Sequence, residues 1–334
     1  GLLLLLGACA REPVELRLSG PTMGTVWNST VIVPRDSALD SAQLQAGIES
    51  ELAAVNASMS TYLPDSEISR FNAAPVDEWF QISADLYRVL STAMAISWQS
   101  SGAYDVTVGP LVNLWGFGPD GSVEVAPSDA EIAAAMARVG QDKLRLDGET
   151  YRVRKLADLY LDFSSIAKGF AVDQIARWLA GEGIASFLVE VGGEMRVAGQ
   201  SARGDAWRIG IEAPEAGRFE LARTLRLGND AVATSGDYRN YFEIDGVRFS
   251  HTIDPRSGYP VTHELVSVTV VHASSMLADA WATALTVLGA EDAWAVAQAE
   301  GLAVYFIERD GEGFRSRHTA ALEPYLEPAM QQGR

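Results

Sequence analysis

The sequence is short of cysteine and of basic side chains, and each shortage excludes a class of protein. Its 334 residues include one cysteine, so an internal disulfide framework and a zinc site built on several thiolates are both excluded. Lys and Arg total 26 against 44 Asp and Glu, which gives a formal charge of −18. A general nucleic-acid binder needs a basic face to displace counterions from phosphates, so we expect no nucleic-acid partner. With 48% hydrophobic and 21% charged residues, the composition is that of a folded globular protein.

The apolar run at the start of the sequence is short. Leu2 to Leu6 fall far below the roughly 20 residues that a membrane-spanning helix needs. The run is typical of the end of a secretory signal, because the small residues Gly7 and Ala8 come directly before Cys9. The four residues ending at Cys9 resemble a bacterial lipobox, in which the signal is cut before a cysteine that then carries lipids. A buried structural cysteine is the alternative.

These features predict three parts along the chain. We expect residues 1–8 to be part of a signal peptide, residues 9–18 a lipidated tether, and residues 19–325 the folded domain. The domain would be attached to a bacterial cell membrane through lipid on Cys9 and would face the periplasm. A chain of this size buries roughly three quarters of its unfolded surface, which is enough for one large core or two intimate lobes.

Hydrophobic periodicity predicts helices and strands in mixed order. Helices are expected from Asp40 or Ser41 through Val55, from Ser83 through Trp98, from Asp129 to Gly140, from Ser165 to Leu179, from Ser274 to Leu288 and near Ala293–Glu300. Strands are expected at Val26–Val33, Leu144–Leu146, Tyr151–Val153, Leu159–Leu161, Phe187–Val191, Arg196–Val197, Trp207–Ile211, Phe219–Leu227, Leu265–Val271 and Ala303–Ile307. Tyr241–Ile244 and Val247–Ser250 form a predicted hairpin around Asp245-Gly246. This order favours an α+β fold, with mostly antiparallel sheets flanked by helices.

One glycine-rich string matches a dinucleotide-binding motif only superficially. Residues 116–121 have the spacing G-x-G-x-x-G. Pro119 cannot lie inside the helix that this motif requires, and no strand leads directly into a helix here. We therefore interpret the string as a loop.

Asp279 and Thr283 are a candidate metal-binding pair. They are four residues apart on a predicted helix, so both oxygens project from one face. A carboxylate and a hydroxyl are hard oxygen donors, which suit Mg²⁺ bound to a substrate phosphate. In the alternative, Asp279 complements the helix dipole and Thr283 bonds to a backbone carbonyl. The pair alone favours this structural alternative.

The segment Asp162–Phe170 is a candidate anion site. A carboxylate ends a predicted strand, small residues follow, and Lys168 lies in the first turn of a helix. Helix N-terminal amides together with an ammonium group suit a phosphate. A surface lysine beside an ordinary capping turn is the alternative.

A polar loop, residues 250–260, follows the predicted hairpin and contains His251. Loops on a rigid scaffold commonly carry functional side chains. His251 is a candidate general base, since an unperturbed histidine has a pKa of about 6.5. A satisfied core or surface histidine is the commoner fate of such a residue.

Taken together, these segments resemble the ApbE family of flavin transferases. The resemblance covers most of the chain after Ser19. The residues that carry it are Pro21–Thr25, Met59–Tyr62, Ser66–Asn72, Gly102–Val112, Asp162–Phe170, Gly192–Glu194, Ala233–Tyr238, Ser250–Pro255 and Ala278–Leu285. Each segment alone could be chance, whereas the set in family order is specific.

The resemblance implies an ApbE-like fold with FAD bound in a cleft. The residues implied around FAD are Met23, Tyr62, Ala103, Tyr104, Asp105, Asp162, Lys168 and Ile253. Tyr62 is the best candidate for stacking on a ring of the ligand, with an interior tyrosine as the alternative. The implied Mg²⁺ ligands are Asp279, Thr283 and the backbone carbonyl of Ser165. Here the pair that looked structural by itself becomes a candidate metal site.

The implied reaction moves FMN from FAD to a Thr or Ser hydroxyl of a partner protein and releases AMP, with His251 taking the hydroxyl proton. The implied acceptors are flavin-carrying subunits of respiratory redox complexes, such as the Na⁺-translocating NADH:quinone oxidoreductase. Hydrolysis of FAD to FMN and AMP by water, a non-catalytic flavin-binding lipoprotein, and a structural lipoprotein without a ligand are the alternatives. Two positions depart from the family pattern: some relatives have an acidic residue at Ala282, and many have Ala at Ser165.

Overall fold

The computed structural model describes most of the chain after its first residues. The described residues are 13–34, 39–119, 121, 123, 125–213, 221–236, 241–244, 247–311 and 313–327, with the side chains of 241–249 left out. Cys9, the expected signal and the turn at Asp245-Gly246 lie outside them. In the described part of the chain, no helix is both long and apolar enough to cross a bilayer.

The fold combines helices with antiparallel sheets, as the sequence predicts. The strands are β1 Val14–Thr22, β2 Thr25–Val33, β3 Phe80–Gln81, β4 Leu144–Asp147, β5 Arg152–Lys155, β6 Ser186–Val191, β7 Glu194–Ala198, β8 Trp207–Glu212, β9 Leu221–Leu227, β10 Ala231–Gly236, β11 Tyr241–Ile244, β12 Val247–Ser250, β13 Leu265–His272, β14 Ala303–Asp310 and β15 Gly313–His318. The α-helices are α1 Ser41–Met59, α2 Glu67–Ala73, α3 Ala84–Gln99, α4 Gly109–Leu114, α5 Asp129–Met136, α6 Ala167–Gly181, α7 Ser275–Leu288 and α8 Ala290–Ala299. Short 3₁₀ turns occupy Gln141–Lys143 and Ala320–Tyr325.

An eight-stranded sheet is the largest layer of the molecule. Its order is β1-β2-β6-β7-β10-β13-β14-β15, and each neighbouring pair is antiparallel. The smaller sheets are β3-β5-β4, β8-β9 and the hairpin β11-β12. Helices α6 and α7 pack against each other, and α7 also packs on β10 and β13. The face of the sheet that α6 and α7 cover is therefore where the main core forms.

Local sequence explains why α7 begins and ends where it does. The Ser274 hydroxyl accepts a hydrogen bond from the amide of Leu277, which is a typical N-cap. Gly289 ends the helix with a φ of 76°, a value that favours glycine. Most of the residues between them are buried, because the helix lies between the sheet and its neighbouring helices. A polar side chain on α7 therefore needs a partner or a function.

The predicted strand at Leu159–Leu161 is wrong. This segment joins no sheet, although Leu161 is buried. The side chain of Asn72 takes the place of a neighbouring strand: its Oδ1 accepts the amide of Leu161 at 2.8 Å and its Nδ2 donates to the carbonyl of Leu161 at 3.0 Å. The backbone is thus satisfied without a ladder.

Several element boundaries also differ from the prediction. Helix α5 ends at Met136 rather than at Gly140, because 3₁₀-type bonds close the turn and the Lys143 ammonium donates to the carbonyl of Ala137 at 2.9 Å. Helix α6 begins at Ala167, two residues after the predicted start. Strands β1, β3, β10 and β15 and helices α2 and α4 were not predicted.

We predict that Asn72→Ala destabilises the protein by about 2 to 4 kcal/mol, because it leaves two buried backbone groups of Leu161 unpaired. Urea unfolding monitored by circular dichroism measures this loss. Asn28→Ala is the matched control, since Asn28 is exposed and its amide group donates to the Glu190 carboxylate. It should cost about 0.5 kcal/mol or less. Equal losses for the two variants would contradict this role of Asn72.

Candidate active site

One cavity of about 630 Å³ opens where the turns of the main sheet meet α6 and α7. The turn between β1 and β2, the turn between β6 and β7, the end of β10 and the segment after β12 contribute to its wall. Ten of the residues that the sequence singled out line it: Met23, Ala103, Tyr104, Asp105, Ser165, Lys168, His251, Ile253, Asp279 and Thr283. The fold thus brings together residues that are up to 260 positions apart in the sequence (283 − 23). The volume lies within the range of small-molecule sites.

A charged cluster lies at the wall formed by α6, β7 and α7. The Lys168 ammonium contacts the Glu194 carboxylate at 2.8 Å, and the Asp279 carboxylate accepts the amide of Gly169 at 3.0 Å. Asp279 and Glu194 are 3% and 5% exposed. The Glu194 Oε2 atom is buried and receives no hydrogen bond from the described residues. The cluster therefore holds two buried acids against one ammonium group.

The pKa values in this cluster reflect burial and mutual repulsion. Burial and, less strongly, repulsion by Asp279 outweigh the opposing effect of Lys168, so that the pKa of Glu194 is raised to about 7. Burial likewise raises the pKa of Asp279, against the effects of Lys168 and of the Gly169 amide. For Lys168, burial lowers the pKa, but the two carboxylates outweigh it and the net direction is upward. A cation at this wall would relieve the unfavourable charge of the acids.

The three oxygen donors that the sequence predicts as metal ligands all line this cavity. Asp279 and Thr283 lie one turn apart on α7, and Ser165 lies just before α6; all three line the same cavity. The Thr283 hydroxyl is 3.4 Å from the hydroxyl of Ser235. Within the described ranges, no group of three or more His, Cys, Asp or Glu residues could hold a metal ion. A metal here would therefore rest on one carboxylate, a hydroxyl and a backbone carbonyl, a donor set that fits Mg²⁺ with substrate oxygens and waters.

The loop at Ala103–Asp105 is tightly fixed. The Ser165 hydroxyl donates to the Tyr104 hydroxyl at 3.0 Å, and burial raises the pKa of Tyr104. Asp105 Oδ1 accepts the amide and the hydroxyl of Thr107 at 2.8 and 2.7 Å, and its Oδ2 accepts the amide of Gln141 at 3.1 Å. Asp105 thus lines the cavity while its carboxylate shapes the loop.

His251 lies directly after β12 and faces the cavity. Its ring meets the edge of Phe117 with centroids 6.3 Å apart. Phe117 belongs to the glycine-rich string, whose described residues, 116–119 and 121, form a turn and loop after α4, as predicted. The next residues are fixed by a bridge between Ile253 and Pro260. The histidine is therefore presented from a structured loop.

Two predicted ligand residues do not line this cavity. Tyr62 is 67% exposed on the loop after α1, so its stacking role stays a prediction. Asp162 is 6% exposed, and its carboxylate accepts the amide of Ser164 at 2.7 Å. Its observed contact shapes the turn that leads to Ser165. Cys9 lies outside the described residues.

Sequence reasoning missed Glu194 as a site residue. It was noted only as part of the segment Gly192–Glu194, without a role. Gly192 has a φ of 61°, and a Cβ there would lie 3.2 Å from Lys168 Cδ. The only sequence signal was an acidic residue after two glycines, which is common in turns.

Known proteins of one family match this chain over most of its length. The family model described as "ApbE family" matches residues 23–306. The FAD:protein FMN transferase of Vibrio cholerae serotype O1 is 44% identical over 97% of this chain and 96% of its own length. The protein of the same name from Escherichia coli K12 is 39% identical over 92% of this chain and 88% of its own length.

Solved structures give the same result. The flavin transferase ApbE from Vibrio cholerae superposes with a TM-score of 0.88 at 43% identity, covering 94% of this chain and 100% of that one. The apo form of Pseudomonas stutzeri flavinyl transferase ApbE has a TM-score of 0.87 at 40% identity, covering 94% and 97%. With the matched sequence running from the β1–β2 turn to β14 and the same fold around the cavity, the chain belongs to the ApbE family.

Proposed function

We propose that this chain transfers the FMN moiety of FAD to a Thr or Ser hydroxyl of another protein. The observation that carries the proposal is that Lys168, His251, Asp279 and Thr283 share one cavity of ligand size. A cation site, an ammonium group and a candidate base are what transfer at a diphosphate requires. The names of the relatives, FAD:protein FMN transferase, support the same activity.

The proposed reaction is a displacement at the FMN-side phosphorus of FAD. The oxygen of the acceptor hydroxyl forms a bond to this phosphorus, and the bond to the bridging oxygen breaks. AMP leaves with the bridging oxygen, and the FMN phosphate stays on the acceptor as a phosphoester. His251 takes the hydroxyl proton, a role typically worth about 10²–10⁴-fold in rate. The acceptor would be a periplasm-facing subunit of a respiratory redox complex, such as the Na⁺-translocating NADH:quinone oxidoreductase.

We further propose that Asp279, Thr283 and the carbonyl of Ser165 hold Mg²⁺. When bound, the ion would neutralise charge on the diphosphate oxygens. Lys168 adds a second positive charge at the same wall, and Glu194 holds its ammonium in place. The buried, unbonded Glu194 Oε2 atom is an acceptor available to a hydroxyl or N–H group of the ligand.

The transferase proposal predicts a covalent flavin label that depends on His251. The chain is incubated with FAD, Mg²⁺ and a candidate acceptor subunit, and mass spectrometry measures FMN-sized adducts on Thr or Ser. His251→Ala should slow labelling by about 10²–10⁴-fold, because the proton acceptor is lost. FAD binding, followed by flavin fluorescence, should stay within about twofold.

His318→Ala is the matched control, because His318 stacks on Tyr305 at the edge of the sheet and does not line the cavity. It should label the acceptor at the wild-type rate. Free FMN and AMP without adduct would instead indicate a hydrolase that uses water. FAD binding with neither product would indicate a non-catalytic flavin-binding lipoprotein.

The metal proposal predicts that Asp279→Asn raises the Mg²⁺ concentration needed for half-maximal labelling by about tenfold or more, since a charged ligand is lost. The measurement is labelling rate against Mg²⁺ concentration at saturating FAD. Asp292→Asn, an exposed change in the first turn of α8, is the control and should leave this concentration unchanged. An unchanged Mg²⁺ dependence in Asp279→Asn would refute the proposed ligand set.

We also propose that lipid on Cys9 anchors the chain to a bacterial membrane, facing the periplasm. The support is the apolar run and the small residues before Cys9. Expressed with a complete leader, the wild type should be cut before Cys9 and carry lipid there, whereas Cys9→Ala should lack both the cut and the lipid; mass spectrometry of the membrane fraction measures this. Ser19→Ala, outside the lipobox, should be cut and lipidated like the wild type. A wild-type chain without lipid on Cys9 would count against this anchor.

A further inference from the structure

A buried carboxylate outside the cavity joins three of the elements that build its charged wall. Asp173 lies on α6 and is 5% exposed. Its Oδ1 atom accepts the amide of Ser275 at 3.0 Å, and its Oδ2 atom accepts the hydroxyl of Ser274 at 2.6 Å and the amide of Met276 at 3.1 Å. The guanidinium of Arg196, on β7, also contacts Oδ1. One side chain thus ties the N-terminus of α7 to α6 and to β7.

Each of these three elements carries a charged residue of the cavity. Helix α6 carries Lys168, five positions before Asp173. Strand β7 carries Glu194, two positions before Arg196 and therefore on the same face of the strand. Helix α7 carries Asp279, about one turn after the residues that Asp173 caps. A shift of α7 along α6 would move Asp279 relative to Lys168.

The packing between α6 and α7 leaves little room for such a shift. A Cβ atom at Gly169 would lie 2.3 Å from the carbonyl oxygen of Ser275 and 2.8 Å from the Cβ of Asp279. The two helices therefore touch through backbone at Gly169, where the amide also binds the Asp279 carboxylate. Two fixed points, Gly169 and Asp173, define how α7 sits on α6.

We propose that Asp173 is a positioning residue for the cation site: it holds α7 so that Asp279 and Thr283 meet the ligand opposite Lys168. This inference rests on the proposed function, because it assumes the cation site there. Asp173 does not line the cavity, so it acts through α7. Its negative charge also complements the positive N-terminal end of α7.

The same chemistry occurs elsewhere in the fold and supplies a matched control. Glu67, on α2, accepts the hydroxyl of Ser83 at 2.8 Å, and its carboxylate also accepts the amide of Ser83. Ser83 is the N-cap of α3, as Ser274 is of α7. Neither α2 nor α3 contributes a residue to the cavity wall. Loss of Glu67 should therefore cost stability without changing the cation site.

The experiment compares Asp173→Asn with Glu67→Gln in the full chain, using Mn²⁺ as the probe. Electron paramagnetic resonance measures the affinity for Mn²⁺ at saturating FAD, and thermal unfolding measures stability. We expect both variants to lose stability. Only Asp173→Asn should lose Mn²⁺ affinity, by about tenfold, as when groups that orient metal ligands are removed. Glu67→Gln should stay within about twofold of the wild type.

Wild-type Mn²⁺ affinity in folded Asp173→Asn would overturn the positioning role, as would an equal loss of affinity in Glu67→Gln. If Asp173→Asn does not fold, the milder pair Ser274→Ala and Ser83→Ala replaces it, with the affinity loss expected in Ser274→Ala alone. Asp279→Asn distinguishes failure of the proposed metal site from failure of the positioning role of Asp173. If Asp279→Asn binds Mn²⁺ as the wild type does, the proposed metal site fails, and the role of Asp173 fails with it.

Discussion

The close approach of α6 and α7 is the contact on which the site depends. At Gly169 the two helices meet with no space for a side chain, and the backbone amide there binds the carboxylate of Asp279. A buried carboxylate is expensive unless donors or cations surround it. Only helices this close let one backbone amide serve as a donor to the neighbouring helix. The same closeness places Lys168, one residue before Gly169, at the wall that Asp279 forms.

The rest of the cavity wall is arranged around this contact by turns of the main sheet. The β6–β7 turn supplies Glu194, which holds the ammonium of Lys168 at 2.8 Å. The segment after β12 supplies His251, and the turn between β1 and β2 supplies Met23. Because Trp27 on β2 pairs with Val191 on β6, the β1–β2 and β6–β7 turns lie at the same end of the sheet, and residues far apart in sequence share one site. The sheet thus holds the turns and the loop that carry these residues in fixed positions.

Sequence patterns predicted the elements that neighbouring residues determine. They failed where contacts between residues distant in the sequence determine the structure. The N-caps at Ser83 and Ser274 follow from a serine that precedes an apolar stripe, so sequence alone was sufficient. At Leu159–Leu161 the same reasoning predicted a strand, because no local pattern shows that Asn72, almost ninety residues away, satisfies the backbone there. The end of α5 depends on 3₁₀-type bonds and on Lys143, whose ammonium binds the carbonyl of Ala137, and hydrophobic periodicity shows neither contact.

The residues of the candidate site also fall into those that the sequence revealed and those that it did not. Most of its residues were found through the family resemblance and lie together in the cavity, whereas the pair on α7 looked structural when considered alone. Glu194 was missed because its importance comes from a neighbour on another element, the ammonium of Lys168. Asp173 gave no sequence signal, since an acid in the middle of a helix is ordinarily a solvated residue. The physical reason is the same for Glu194 and Asp173: the partner of each carboxylate lies on another element, and only the folded structure brings the two together.

Charge acts on the proposed cation site at two scales. The chain as a whole carries −18, so its field repels an anionic dinucleotide. At the wall of the cavity, burial raises the pKa of Asp279 and of Glu194, so the surroundings disfavour the charged form of both carboxylates. Under the proposed function, a divalent cation would offset that cost, and the diphosphate would in turn offset the positive charge of the cation and of Lys168. Cation and dinucleotide would then favour each other's binding, because each supplies the charge that the other needs. The acidic side chains would weaken a simple anion site, whereas in the proposed arrangement they would couple the binding of the two ligands.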